Sequence, residues 1–454
     1  MRRAARRGPL WAAAVLALAV LAPPSRAQEA PGQEAAAIRE AFLHAWTGYE
    51  RYAWGHDELL PLSRGFRDWH PAPLLMTPVD AYDTMLLLGL TDQAARAKAL
   101  ILDSLSFDRD FDVQVFEITI RLLGGLLSAH QLDGDPRFLA LARDLGNRLL
   151  PAFGSPTGMP YRFVNLRTGA VSGPVSNPAE VGTLMLEFGT LSKLTGDPRF
   201  YDAAKRAVVA LYQRRSPVGL VGSTIDVRTG GWVDRDSHVS GGIDSYYEYL
   251  LKAWLLFRDP DFQAMWDTSI AAVNRWLADR RPDGLWYGHA DMDTGARTAT
   301  HYGALDAYFA AVLARSGDTA RAGQLMESIF RMWTTFGIEP EELDYVTMRP
   351  VSAGYELRPE GLESAYYLYR ITGDARWRTM GRMMLDSLFR YSRAETGFTA
   401  LASVVTKERR DRMESYFLAE TLKYAWLLFA PASTLDFDAV VFNTEAHPLR
   451  RTWP

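Results

Sequence analysis

A short turn that recurs down the chain limits what it can fold into more than any other feature. Asp133-Gly134-Asp135-Pro136-Arg137-Phe138 returns as Thr195-Gly196-Asp197-Pro198-Arg199-Phe200 and, more loosely, as Arg258-Asp259-Pro260-Asp261-Phe262. Ser316-Gly317-Asp318 and Thr372-Gly373-Asp374-Ala375-Arg376-Trp377 are weaker echoes. Glycine suits the left-handed cap that ends a helix, aspartate caps the next one, proline fits the first helical position, and the aromatic packs back. Each copy therefore reads as the end of one helix and the start of another. The capping aspartates fall about 60 residues apart, which leaves room for two helices and two connections. Between them, apolar residues recur at three- and four-residue intervals, as in Leu184 to Leu194 and Tyr246 to Phe257. The period divides the chain into roughly seven αα-hairpins. Such hairpins either stack as an open solenoid or close into an all-α ring of inner and outer helices. The ring is expected here, because candidate acids are spread over the whole chain and need one place to meet.

The chain opens Met1-Arg2-Arg3-Ala4-Ala5-Arg6-Arg7, runs apolar from Leu10 to Ala22 and reaches Ser25-Arg26-Ala27, with small residues where signal peptidase cuts. Residues 1–27 are expected to be a cleaved leader and residues 28–454 one domain, exported to the periplasm or secreted, with no membrane attachment after cleavage. The paired arginines do not separate folded export from the general route. There is no cysteine; an exported chain of this size then relies on core packing, and thiolate metal sites or a cysteine nucleophile are excluded. A net charge of −4, with no basic run after the leader, argues against nucleic acid and anionic membranes as partners.

Acids stand where a soluble helix would bury apolar groups. Glu117 and Arg121 are four apart and share a helix face within Val115-Phe116-Glu117-Ile118-Thr119-Ile120-Arg121-Leu122-Leu123. Burying that pair costs several kcal/mol unless something uses it; it is either a register-fixing pair or a tuned carboxylic acid. Glu180 and Glu187 lie one heptad apart in apolar surroundings, and Asp244 opens Asp244-Ser245-Tyr246-Tyr247-Glu248-Tyr249 at the cap position. Glu360 and Glu363 share a face of a helix that starts near Pro359, just after Arg358, and Glu420 sits amid Tyr416-Phe417-Leu418-Ala419. Asp80 and Asp83 resemble first-turn acids of a helix. The aromatic run from His44 to Leu59 is either core or a sugar-stacking edge. Carboxylates gathered in one cleft are what glycoside hydrolysis requires. No His-x-x-x-His, phosphate loop or serine elbow competes with that reading.

Near the end, Val441-Phe442-Asn443-Thr444-Glu445-Ala446-His447-Pro448 is a poor helix and a plausible short hairpin. It is expected to turn back into the ring and set Thr444 on its floor, where oxygen ligands could hold a hard cation.

His44-Ala45-Trp46 through Asp57-Glu58-Leu59, Phe116-Glu117 through Arg121, Asp244 through Leu250, Leu357-Arg358-Pro359-Glu360, Phe417-Leu418-Ala419-Glu420 and Phe442 through His447 together resemble the signature blocks of glycoside hydrolase family 47, the class I α-1,2-mannosidases. The resemblance runs in order from about Ala36 to Leu449. It implies a single (α/α)7 barrel plugged by a C-terminal β-hairpin, with Ca2+ at the base of the pocket. It further implies Glu117 as general acid, Glu360 as the base that activates water with Asp244 the other carboxylate for that role, and Thr444 as the calcium ligand. Arg121, Glu180, Glu187, Arg358, Glu363, Tyr416, Glu420 and Glu445 would form the substrate-binding shell. The expected activity is inverting removal of terminal α-1,2-linked mannose from mannan or high-mannose glycans, by a monomer acting on an oligosaccharide or glycoprotein glycan. A calcium-dependent mannose- or glycoprotein-binding module on the same fold is the alternative; retention of Glu117, Asp244 and Glu360 favours the enzyme.

The chain departs from the family pattern at Gly242, where many members carry arginine, at Ala307, where processing enzymes often have histidine, and at Tyr416, usually phenylalanine. Gly-x-x-Asp-Ser-Tyr-Tyr-Glu-Tyr is closer to the branch implicated in endoplasmic-reticulum-associated degradation, and the disulfide of many eukaryotic members is absent.

Overall fold

The computed structural model describes residues 32–453; the expected leader, residues 1–27, lies outside them. The repeated turns do what their chemistry predicts. Asp135, Asp197, Asp259 and Asp374 each accept the backbone N–H two residues on, at 3.0, 3.1, 3.1 and 2.9 Å. Asp318 takes the N–H of Arg321 at 3.1 Å. Each turn joins an inner helix to an outer one. The inner set is Met76–Leu87, residues 115–133, residues 178–195, Asp244–Phe257, residues 305–315, Glu360–Thr372 and residues 417–429. Six outer helices follow them: Thr91–Ser104, Pro136–Leu149, Pro198–Tyr212, Pro260–Trp276, Thr319–Phe336 and Ala375–Ser392.

The seventh outer helix comes from the other end of the chain. Gly32–Tyr52 packs on the inner helix at 422–429, and the inner helix at 76–87 meets the one at 417–421. The seventh hairpin is thus assembled from both termini, and the ring is closed, giving the expected (α/α)7 barrel. Inner helices are buried nearly all round: Met76 to Met85 is buried without a break. Outer helices bury one stripe, as Pro136–Leu149 does with Phe138, Ala142, Leu145 and Leu149. Trp46 and Tyr49 of the early aromatic run are fully buried in the core, whereas Trp54 is exposed.

Inner helices all begin at the same end of the barrel, where short hairpins such as Phe163–Asn165 with Val171–Ser172 cross from each outer helix to the next inner one. At this end two inner helices carry π-turns, Thr119–Leu123 and Phe417–Thr421, a distortion that concentrates at functional sites.

From the opposite end, the hairpin Val440–Phe442 with Pro448–Arg450 enters the barrel. Its tip, residues 443–447, is locked by a buried charge cluster. Lys423 Nζ reaches Asp83 Oδ1 and the Ala446 carbonyl, each at 2.7 Å, and His447 reaches Asp83 at 2.7 Å and Asp80 at 3.3 Å. All four side chains have no exposure. Asp80 and Asp83 are therefore plug anchors rather than solvated first-turn acids. Gly124 makes room for the tip and Gly125 for both the tip and the first inner helix: a Cβ on Gly124 would stand 2.5 Å from Asn443 Nδ2, and one on Gly125 2.8 Å from Val79 Cγ1 and 3.2 Å from His447 Cε1.

Two expectations about helix position are corrected. Asp244 is the first helical residue, with Ile243 at the cap; its carboxylate takes the N–H of Ser245 at 2.6 Å. Glu180 and Glu187, one heptad apart, do not sit on one continuous helix, because Thr183 and Leu184 leave helical geometry between Pro178–Gly182 and Met185–Thr195.

Burial pushes the Asp83 carboxyl up, but Lys423 and His447 outweigh it and leave it at about 2. A carboxylate held below its unfolded value near 4 contributes stability that is full above that value and fades as pH falls through about 2. Asp83→Asn is expected to lower unfolding free energy by about 3–5 kcal/mol at neutral pH. In chemical denaturation, its difference from the parent should shrink from about pH 4 downward.

Candidate active site

The cavity at the helix-start end holds about 410 Å³. Glu117, Arg121, Glu180, Asp244, Arg358, Glu360, Glu363, Tyr416, Glu420, Thr444 and Glu445 all line it. Glu187 does not. It is fully buried behind the plug, accepting Tyr249 Oη at 2.7 Å and Asn443 Nδ2 at 2.8 Å. The helix break after Glu180 turns Glu187 away from the cavity, so its expected place in the substrate-touching shell is corrected to one of support. Tyr249 Oη also accepts the Thr444 N–H at 3.2 Å, so Glu187 steadies the floor through Tyr249.

Arg121 organises one wall. Its guanidinium donates to Glu117 Oε2 at 3.0 Å and Ser415 Oγ at 3.2 Å, and pairs with Glu445. It lies between the rings of Trp69 and Tyr416, 5.2 and 5.5 Å from their centroids. The Glu117 side chain, a quarter exposed, keeps access to the cavity while Arg121 fixes its direction. Tyr416 is in turn flanked by Arg358 at 5.6 Å and donates to the Glu356 carbonyl at 2.6 Å. Arg358 forks onto Glu341, with contacts of 2.8 and 3.0 Å to Oε2. Leu357, just before it, sits at φ 64°, a strained backbone of the kind that clusters at active sites.

Across the cavity, Asp244 is held by Ser245 and, through its carbonyl, by Tyr308 Oη at 2.8 Å. Burial pushes Asp244 up to about 6 against the Ser245 bonds that lower it. Glu360, the first residue of its helix, is pushed up to about 8, by burial foremost and with Glu341 and Asp244 adding to it, while Arg358 pulls it down. Its Oε2 is buried without a hydrogen-bond partner. Glu363 rises to about 8 by burial and its acidic neighbours, offset by Lys252. Burial also drives Glu420 and Glu445 well above the usual carboxylate range, each raised further by other acids.

This floor offers oxygen donors: the Thr444 hydroxyl among crowded carboxylates. His447 points the other way, onto Asp80 and Asp83. Raised, mutually repelling acids and an unpartnered Glu360 oxygen fit a hard cation, which prefers several oxygen ligands in loose geometry.

Gln114, Arg162, Asn177, Glu248 and Tyr308 also line the cavity and were not singled out from sequence. Gln114 and Arg162 hold Glu180 at 2.7 and 3.0 Å from the inter-helix segments. Glu248 pairs with buried Lys252 one turn later, an i, i+4 acid-base pair in an apolar helix that the criterion used for Glu117 and Arg121 would have found.

Comparison with known proteins places these residues in context. The model of glycosyl hydrolase family 47 matches residues 41–451. The chain is 39% identical over 448 residues to human ER degradation-enhancing alpha-mannosidase-like protein 2, covering 91% of this chain and 76% of that one. It is 37% identical over 462 residues to human endoplasmic reticulum mannosyl-oligosaccharide 1,2-alpha-mannosidase, covering 94% and 66%. Among solved structures, the alpha-1,2-mannosidase from Trichoderma reesei superposes with a TM-score of 0.85 at 29% identity, covering 92% and 98%.

The charges make a prediction about titration. In metal-free protein, side-chain carboxyl NMR should find Asp244 titrating near 6 and Glu360 near 8. Arg358→Met should move Glu360 upward, because the lost guanidinium favoured the ionised form.

Proposed function

We infer that this chain, which belongs to glycosyl hydrolase family 47, is a calcium-dependent, inverting exo-α-1,2-mannosidase acting on terminal α-1,2-linked mannose of mannan or high-mannose glycans. The observation that carries the reading is convergence: one cavity gathers Glu117, Asp244 and Glu360 from three inner helices and Thr444 from the plug. The family match and the names of the relatives supply the substrate class. Export to the periplasm or medium belongs to the same proposal; no helix among the described residues is long and apolar enough to cross a membrane.

In this reading Glu117 delivers a proton to the glycosidic oxygen as the bond to the anomeric carbon breaks. Arg121 aims that carboxyl, donating to Glu117 Oε2 at 3.0 Å. Glu360 takes a proton from the water that attacks the opposite face of the sugar, and Asp244 is the other carboxylate placed for that duty. Burial that raises Glu360 also raises its proton affinity once it is ionised, which suits a base. Tyr416, pinned between two arginines, presents a ring edge to the terminal sugar. Thr444 would hold calcium through hydroxyl and carbonyl oxygens, and bound calcium would supply coordination that orients the sugar's neighbouring hydroxyls.

Purified protein given α-1,2-mannobiose should release β-mannose first by proton NMR, with activity lost on chelation and restored by calcium. Initial α-mannose would overturn inversion. Tight calcium-dependent binding without release would favour the glycan-binding module instead. Glu117→Gln should lower kcat/KM by about 10²- to 10⁴-fold, the range for losing a general acid, with the thermal unfolding midpoint unchanged.

A further inference from the structure

Outside the catalytic cavity, two imidazoles and a carboxylate meet on one small sheet. Asp236 and His238 are two apart and so share a face where the strand Asp236–Ser237 pairs with His289–Asp291. The register sets Ala290 opposite Ser237 and thereby brings His289 across from His238, with ring centroids 4.5 Å apart. A ligand atom from each of Asp236, His238 and His289 lies within 4.8 Å of the other two.

We propose that Asp236, His238 and His289 form a second metal site, for a borderline divalent transition ion such as zinc, separate from the oxygen-lined floor around Thr444. The donor types decide the ion. Imidazole nitrogen with one carboxylate suits zinc and its neighbours in the transition series and is a poor set for calcium, whereas the Thr444 floor offers oxygen alone. Three protein ligands leave a fourth position for water. Supporting groups are in place: Thr298 Oγ1 donates to Asp236 Oδ1 at 2.6 Å and orients the carboxylate. His289 Nδ1 lies 2.6 Å from Asp236 Oδ2, so the two donor atoms already face one point, where a metal would replace the proton they share. Access is open, since the Asp236 and His289 side chains are 31% and 15% exposed.

Ligation at His238 has a structural consequence. Its Nδ1 accepts the Ser240 N–H at 3.2 Å, so without metal the ring proton sits on Nε2. A cation on Nε2 moves that proton to Nδ1 and releases the Ser240 bond. Ser240 leads directly into Gly241 and Gly242 of the cavity wall, so occupancy of this site bears on the wall beside Asp244.

The test is zinc titration of the calcium-saturated full chain against a chromophoric chelator, with metal content measured after desalting. One zinc per chain, held tighter than about 10 µM and weakened at least about 10-fold by His289→Ala and by Asp236→Asn, would support the site. The near-isosteric Asp236→Asn keeps the test informative if the alanine variant folds poorly. Zinc held more weakly than that in the parent, zinc unaffected by both substitutions, or zinc lost in Thr444→Val but retained in His289→Ala, would overturn it. The Ser240 amide resonance should shift with zinc in the parent and stay in place in Asp236→Asn.

Discussion

The site depends on one buried electrostatic knot. Asp83 is held by Lys423 at 2.7 Å and His447 at 2.7 Å, and the three have no exposure to water. Charges that deep are tolerated because each is paired and their remaining bonds are filled: Ser128 donates to Asp83 at 2.8 Å, and Lys423 reaches the Ala446 carbonyl. The knot ties the first inner helix to the last and both to the tip of the plug. With the tip anchored, Asn443 bridges the Ile120 carbonyl and Glu187 at 2.9 and 2.8 Å, and its Oδ1 takes the N–H groups of Glu445 and His447. Thr444 then has one place to be, facing the cavity from below.

Above the knot, the cavity keeps its acids poised by trading charge among a few arginines. Arg121 serves Glu117, Glu445 and Asp80, and Arg358 serves Glu341. Burial, with neighbouring acids adding to it, raises Glu360, Glu363 and Glu420, and raises Glu445 despite its pair with Arg121. The cluster of Asp236, His238 and His289 differs in kind: nitrogen donors, a half-open sheet, and support from a threonine.

Much of this was legible in the chain because it rests on local chemistry. The Gly-Asp-Pro turns cap helices wherever they occur, so their spacing determined the αα-hairpins and their number. The acids were legible as breaks in apolar runs at Glu117 and Glu420 and as helix-start residues at Asp244, Glu360 and Glu363. The reading failed where local pattern and backbone part company. Glu180 and Glu187, one heptad apart in an apolar run, fall on two helices because Thr183 and Leu184 break the helix between them. Asp80 and Asp83 look like first-turn acids, and only a partner more than 330 residues away in sequence, Lys423 or His447, makes them anchors.

By itself, then, the sequence determined the helical hairpins, the set of candidate acids and the family they resemble, because capping and periodicity are properties of neighbouring residues. Tertiary structure decided the rest. Ring closure pairs Gly32–Tyr52 with the inner helix at 422–429, and sequence order says nothing about which ends meet. The cavity membership of Arg162 and Gln114, the shielding of Glu187 and the meeting of His238 with His289 are all long-range. They follow from where the barrel places each helix start and from a strand register that no local pattern encodes.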